Sequence, residues 1–248
     1  MITIDKNVFL RSFKVIPQNS FDLFLGSGAS IAAGIPSGGE LIWYFKREIL
    51  SIEGKIDGKK IKDLRVESNK KLIQSFFDND AENKIENLYS HYFELCYPDS
   101  RIREDFLTSI IKDKKPTIGH LCIAALIQNK KFHTIWTTNF DDLVEKAINT
   151  TDGLSCSVIS TKDSNSISGF RNDIPKVVKL HGDFRYDKLQ NTDSELQSLE
   201  ANLQSQFVLN CQQKGLIVVG YSGYDKSVLQ SLREIIKGDN PFPRGLIW

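Results

Sequence analysis

Little in this 248-residue chain is one-sided. Lys and Arg number 32 and Asp and Glu 31, a net charge of +1, so it lacks both the basic excess of a nucleic-acid-binding tail and the acidic bias of a disordered segment. Its four cysteines, Cys96, Cys122, Cys156 and Cys211, lie far apart with no C-x-x-C pair. That excludes a compact zinc module or a dithiol redox site and predicts buried free thiols in a reducing compartment. No apolar run approaches the roughly 18 residues of a membrane helix, and the opening MITIDKNVFLRSF has no signal-peptide core. A cytoplasmic protein that meets neither membrane nor nucleic acid is the expectation. There is no internal repeat, and polar low-complexity is confined to 160–169 and 189–198, which read as loops or loop-to-helix joins.

What is present is a full core. Hydrophobic residues make up 40% and there are 16 glycines, close to the roughly 45–50% apolar share of globular chains. One domain over 1–248 is expected. Short continuous apolar runs recur at 21–25 (FDLFL), 133–138 (HTIWTT), 156–160 (CSVIS), 176–180 (KVVKL), 216–220 (LIVVG) and 245–248 (GLIW). Unbroken rather than alternating hydrophobicity predicts strands covered on both faces, as in a parallel sheet. Helical stripes lie between them: Val228, Leu229, Leu232, Ile235 and Ile236 behind a capping Asp225, and Leu143, Val144, Ala147 and Ile148. The expected fold is α/β, a Rossmann-like doubly wound parallel sheet.

From about 50 to 130 that alternation stops and only helix signals remain, such as Ile85, Leu88, Tyr89, Tyr92, Phe93 and Cys96, then Phe106, Leu107, Ile110 and Ile111. A helical insertion is predicted, with GKIDGKKIKDLR as a solvated loop because Asp57 and Asp63 interrupt its lysines. The run GLIW follows the breakers DNPFPR and reads as the start of a buried strand, so a native chain continuing past Trp248 is expected.

Four segments fall where strands give way to turns. After 21–25 come Gly26, Ser27, Gly28, Ala29 and Ser30, then Gly34-Ile35-Pro36 and a helix. Glycines there let backbone approach a diphosphate whose charge suits N–H groups and a helix dipole, although a purely structural turn has the same composition and the spacing is not G-x-G-x-x-G. Next, Thr137, Thr138, Asn139, Phe140 and Asp141 end the second apolar run. Asn139 or Asp141 is either an N-cap, or Asn139 is an amide that fixes a water or a sugar hydroxyl. Third, His181-Gly182 closes KVVKL, a placement that suits proton transfer near neutral pH as well as a structural turn; His91, His120 and His133 have less suggestive surroundings. Last, Gly220, Tyr221, Ser222 and Gly223 offer small groups to a ribose or phosphate.

In this order the segments GSGAS with GIP, TTNFD, LHGD and GYSGYD resemble the sirtuin superfamily over roughly 20–236. Its corresponding motifs are G-A-G-x-S with G-I-P, T-Q-N-x-D, H-G and a late G-[ST]-S turn. The chain departs from the deacylases at Ser37, Gly38 and Gly39, where they carry D-F-R, and at Thr138, where they carry glutamine; their four-cysteine zinc module is missing. It is more similar to the sirtuin-like, NAD-hydrolysing domains of bacterial antiphage defence proteins, whose G-Y-S-x-x-D pattern matches Tyr221, Ser222 and Asp225.

The resemblance implies NAD as the substrate and no metal. Asn139 and His181 would be catalytic, the amide holding water or ribose hydroxyls and the imidazole accepting a proton. Gly26, Ser27, Gly28 and Ser30 would hold the diphosphate, Thr138 and Asp141 would line the nicotinamide pocket, and Gly220, Tyr221, Ser222 and Asp225 would lie near adenosine. It also implies a toxic effector held inactive until triggered, a homo-oligomer, and a further sensor domain or partner. The alternatives are an NAD-dependent deacylase or ADP-ribosyltransferase, or a module that senses NAD or ADP-ribose without turnover.

Overall fold

The computed structural model describes residues 3, 5–83, 85, 88–160, 174–180, 193–223 and 226–248, with backbone alone for 193–201 and 226. The six apolar runs form six strands: β1 (Phe21–Leu25), β2 (Thr134–Thr137), β3 (Ser157–Ile159), β4 (Lys176–Lys179), β5 (Gly215–Val219) and β6 (Leu246–Ile247). They make one parallel sheet in the order β3-β4-β2-β1-β5-β6. Every residue of β1 and β2 is buried, which is why these runs are apolar without alternation.

Helices cover both faces. On one lie α1 (Lys6–Val15), α7 (Ile118–Gln128) and α8 (Leu143–Asn149). Phe21, Leu23, Leu25 and Ile135 meet Ala124, Ile127, Val144, Ala147 and Ile148 there, each well-buried large side chain contributing about 1.5–3 kcal/mol. On the other face α9 (Asp193–Cys211) and α10 (Lys226–Lys237) set Leu203, Phe207, Val228, Leu232 and Ile235 against Phe24, Trp136 and Val218. The stripe expected of α10 is narrower than its sequence suggests, because Ile236 is exposed. Within this apolar layer Asp22 is buried, and its carboxylate accepts from Trp136 Nε1 (3.0 Å) and Lys214 Nζ (2.8 Å).

Two elements, α1 and a 3-10 helix, were not expected. The α1 helix starts at an Asp5 cap that accepts from the amides of Asn7 and Val8. Helix α9 begins within 189–198, in keeping with a loop-to-helix join there. A 3-10 helix (Ser27–Ala33) occupies the segment directly after β1. The thiols are free, yet Cys122 is exposed, so burial applies fully only to Cys96 and Cys211.

Between β1 and β2 the chain is helical among the described residues: α2 (Gly38–Ile52), α3 (Glu67–Gln74), α4 (Asn79–Glu82), α5 (Leu88–Cys96), α6 (Ser100–Ile111) and then α7. Helix α5 begins three residues after Ile85. Phe45, fully buried, centres an aromatic cluster, 4.8 Å from Phe93 and 5.5 Å from Phe106. No helix among the described residues is long and apolar enough to cross a membrane.

Candidate functional site

Strand order reverses at β1, which has β2 on one side and β5 on the other. In open α/β sheets a ligand crevice forms at the carboxyl ends of the strands flanking that reversal. The segments after β1, β2 and β5 meet there.

The contact between the first and the last is backbone on backbone. Gly26 N–H donates to Val219 O (3.0 Å) and Gly28 N–H to Gly220 O (2.8 Å). A Cβ at Gly26 would stand 2.6 Å from Tyr221 Cα, and one at Gly28 2.7 Å from Gly220 O. Gly220 has φ +69°, and a Cβ there would stand 2.3 Å from Ala29 N, so neither the conformation nor the space admits a side chain. These three glycines therefore have a structural cause independent of any phosphate, and the Gly28 N–H is already engaged. Ser27 Oγ accepts from Gly38 N–H at the start of α2 (3.2 Å). That start is closed by a capping box in which Ser37 N–H donates to Glu40 Oε2 (2.9 Å) and Ser37 Oγ accepts from Glu40 N–H (3.3 Å).

The contact between the first and second segments runs through side chains. Ser30 Oγ donates to Asp141 Oδ2 (2.7 Å), and Asn139 Nδ2 donates to Ser30 Oγ (3.2 Å) and Gly26 O (3.1 Å). A carbonyl oxygen only accepts, so the Gly26 contact fixes which end of the Asn139 amide is nitrogen. Asn139 Oδ1 is then buried with no hydrogen-bond partner among the described residues. Asp141 is buried and also accepts from Leu143 N–H at Oδ1 (3.1 Å), so it serves the start of α8 as well as Ser30. Thr138 N–H extends the β1–β2 ladder to Leu25 O (3.3 Å). Tyr221 packs edge-on against Phe24 (5.0 Å) and accepts at its carbonyl from Trp248 Nε1, while Ser222 is exposed.

The structure thus brings Ser30, Asn139 and Asp141 together and sets Gly26, Gly28, Gly220 and Tyr221 alongside. His181 and Asp225 lie outside the described residues.

Four further residues shape the site. Thr137 Oγ1 accepts from Asn139 N–H (2.9 Å) and donates to Leu25 O (2.9 Å). Lys179, fully buried at the end of β4, donates to Asp141 O (2.8 Å) and pairs with Glu145 (2.8 Å). Burial pushes the Glu145 carboxyl above its ordinary range against the pull of Lys179. His120 Nδ1 accepts from Thr117 N–H (3.2 Å), and burial holds the imidazole low against the nearby Asp141 charge. A lysine inside an apolar strand run was the readable signal for Lys179; His120 was visible only as one of four histidines. Among the described residues no group of three or more His, Cys, Asp or Glu could hold a metal ion.

The insertion approaches from one side. The Tyr89 ring lies 6.5 Å from Phe140, and Ile35, Ile111 and Leu143 close an apolar cluster with Phe140 at its edge. A cavity of about 670 Å³ lies beyond α2, lined by Trp43, Lys46, Arg65 and Glu82 among others, and includes none of Ser30, Asn139 or Asp141.

Residues 133–248 match the family model described as SIR2-like domain. The chain is also similar to the NAD(+) hydrolase ThsA of Acinetobacter baumannii (strain 532279), 25% identical over 173 residues, which is 70% of this chain and 29% of that protein. A solved structure from work on the structural basis of sirtuin substrate affinity aligns with 93% of this chain and 84% of its own, at 17% identity and a TM-score of 0.43.

Proposed function

We propose that this chain hydrolyses NAD at the bond between ribose and nicotinamide, releasing nicotinamide, ADP-ribose and a proton. The observation that carries the reading is the buried Asn139 Oδ1, which has no partner among the described residues and whose amide is held in one orientation by Gly26 O and Ser30 Oγ. A buried acceptor without a donor costs about 1–3 kcal/mol, and a ribose hydroxyl or an attacking water supplies that donor. Support comes also from the SIR2-like match and from the similarity to a protein named as an NAD hydrolase, of which this chain spans 29%.

Breaking the N-glycosidic bond develops positive charge on the ribose carbon and releases nicotinamide as a neutral base, so acid assistance is secondary. The chain's task is to fix the sugar, exclude bulk water and deliver one molecule. Asn139 positions the ribose or the water. His181 takes the proton. Thr137 and Lys179 are register partners, and Asn139 and His181 each follow two positions later in the sequence. Thr138 and Asp141 line the nicotinamide side, Ser27 and Ser30 with the glycine turn take the diphosphate, and Tyr221, Ser222 and Asp225 take adenosine.

The proposal extends to setting. The chain is the effector of a bacterial antiphage system in the cytoplasm, works as a homo-oligomer, and is held inactive until oligomerisation or a sensor domain or partner releases it, because unrestrained hydrolysis would exhaust the host's own NAD.

The test is chromatography of NAD incubated with the wild type, Asn139→Ala and His181→Ala. The wild type releases free ADP-ribose and nicotinamide with no peptide present. Loss of a positioning amide costs about 10²–10³ in kcat, and loss of the base about 10²–10⁴. Intact NAD after prolonged incubation with oligomeric wild type would sink the reading.

A further inference from the structure

We propose that Lys179 is a positioning residue that holds the Asn139–Asp141 loop in its working shape from the neighbouring strand. The inference rests on the reading of the site just given and names a residue that reading does not use.

The loop between β2 and α8 has no regular secondary structure over 138–142, so side-chain contacts shape it. Ser30 holds the Asp141 carboxylate, Thr137 Oγ1 accepts from the Asn139 backbone N–H, and the Asp141 carbonyl receives its donor from Lys179 Nζ at 2.8 Å. Lys179 and Glu145 are buried at 2.8 Å from each other. Such a pair is seldom more stabilising than apolar residues of the same volume, because desolvation offsets the attraction. Stability alone gives β4 little reason to bury an ammonium. The bond to the Asp141 carbonyl does, since a charged donor on a backbone acceptor is stronger and shorter than a neutral one. Lys179 also stands two residues before His181 and one strand from Asn139, so it links the two chain segments to which catalysis is assigned.

This separates positioning from stability. Lys179→Met alone leaves the Glu145 carboxylate buried without its ammonium, which threatens folding. In Lys179→Met/Glu145→Leu both ions are gone, so thermal stability should return while the Asp141 carbonyl still lacks its donor. The double variant should melt within a few degrees of the wild type. Its amides over 138–142 should exchange faster with strands β1 and β5 unchanged. Its kcat should be lower by about tenfold to a hundredfold, the range for one charge-assisted hydrogen bond, with KM within about threefold. Wild-type kcat, or unaltered exchange over 138–142, in the folded double variant would overturn the proposal. Amide exchange needs no turnover, so if the wild type does not cleave NAD the functional reading fails while the role of Lys179 is still decided.

Discussion

Two buried lysines sit in two differently built regions. Lys46, on α2, is enclosed by partners facing the insertion: Glu82 at 2.6 Å, Gln74 at 2.7 Å, and the rings of Trp43, Phe77 and Tyr92 at 4.8, 5.0 and 4.9 Å. Tyr92 also donates to Glu82, and burial with that bond raises the Tyr92 phenol. Among the described residues no buried side-chain polar atom of this region is without a partner. Lys179, at the carboxyl end of the sheet, binds a loop carbonyl as well as a carboxylate, and the same loop carries the Asn139 oxygen that has no partner among the described residues. Buried polar groups are normally satisfied. Where they serve only the fold, as around Lys46, the circuit closes on itself. At Asn139 it stays open among the described residues, and under the proposed function the missing donor comes from what binds.

The contrast can be broken in order of effect. Phe45→Ala opens a cavity in the aromatic cluster and should lower unfolding free energy by about 3–5 kcal/mol, read by urea titration. Turnover per folded molecule should stay within about twofold of the wild type. A matching fall in kcat would mean that the two regions act as one. Ser30→Ala removes the hydroxyl shared by Asn139 and Asp141. An unmet buried partner is worth about 1–3 kcal/mol, so NAD kcat/KM should fall about tenfold to a hundredfold in enzyme that remains folded. Lost melting temperature with full kcat/KM would place Ser30 among residues that serve the fold alone.

The smallest effect lies at the junction, in Glu40. The backbone bond from Ser37 holds its carboxyl below the ordinary value of 4.5. Because the folded value is the lower one, its contribution is present above pH 4.5 and is lost as pH falls through the depressed value. Glu40→Gln should cost about 0.5–1 kcal/mol near neutrality through the weakened cap and should flatten the fall in melting temperature between about pH 5 and 3. An unchanged acid slope would remove Glu40 from that account.

The strands were legible because a strand buried on both faces has to be an unbroken apolar run, and FDLFL, TIWT and LIVV are such runs. The loop residues were legible because strand-end turns that approach one another leave a recognisable order of Gly, Ser, Asn and Asp. The 3-10 helix after β1 was not, since Ser27–Ala33 has no stripe long enough to set a period. Nor was the role of Lys179, which reads as one charge in a strand until the partners it reaches are known.

The amino-acid order alone determined that an α/β sheet forms and which short segments stand at its strand ends, because those follow from local apolar runs and turn residues. Only the tertiary structure decided what the segments do to one another. Gly220 fills the space that side chains at Gly26 and Gly28 would need, and Ser30 reaches Asp141 across 111 residues of chain. Those are contacts between distant parts of the chain, and packing creates them; local propensity carries no information about them.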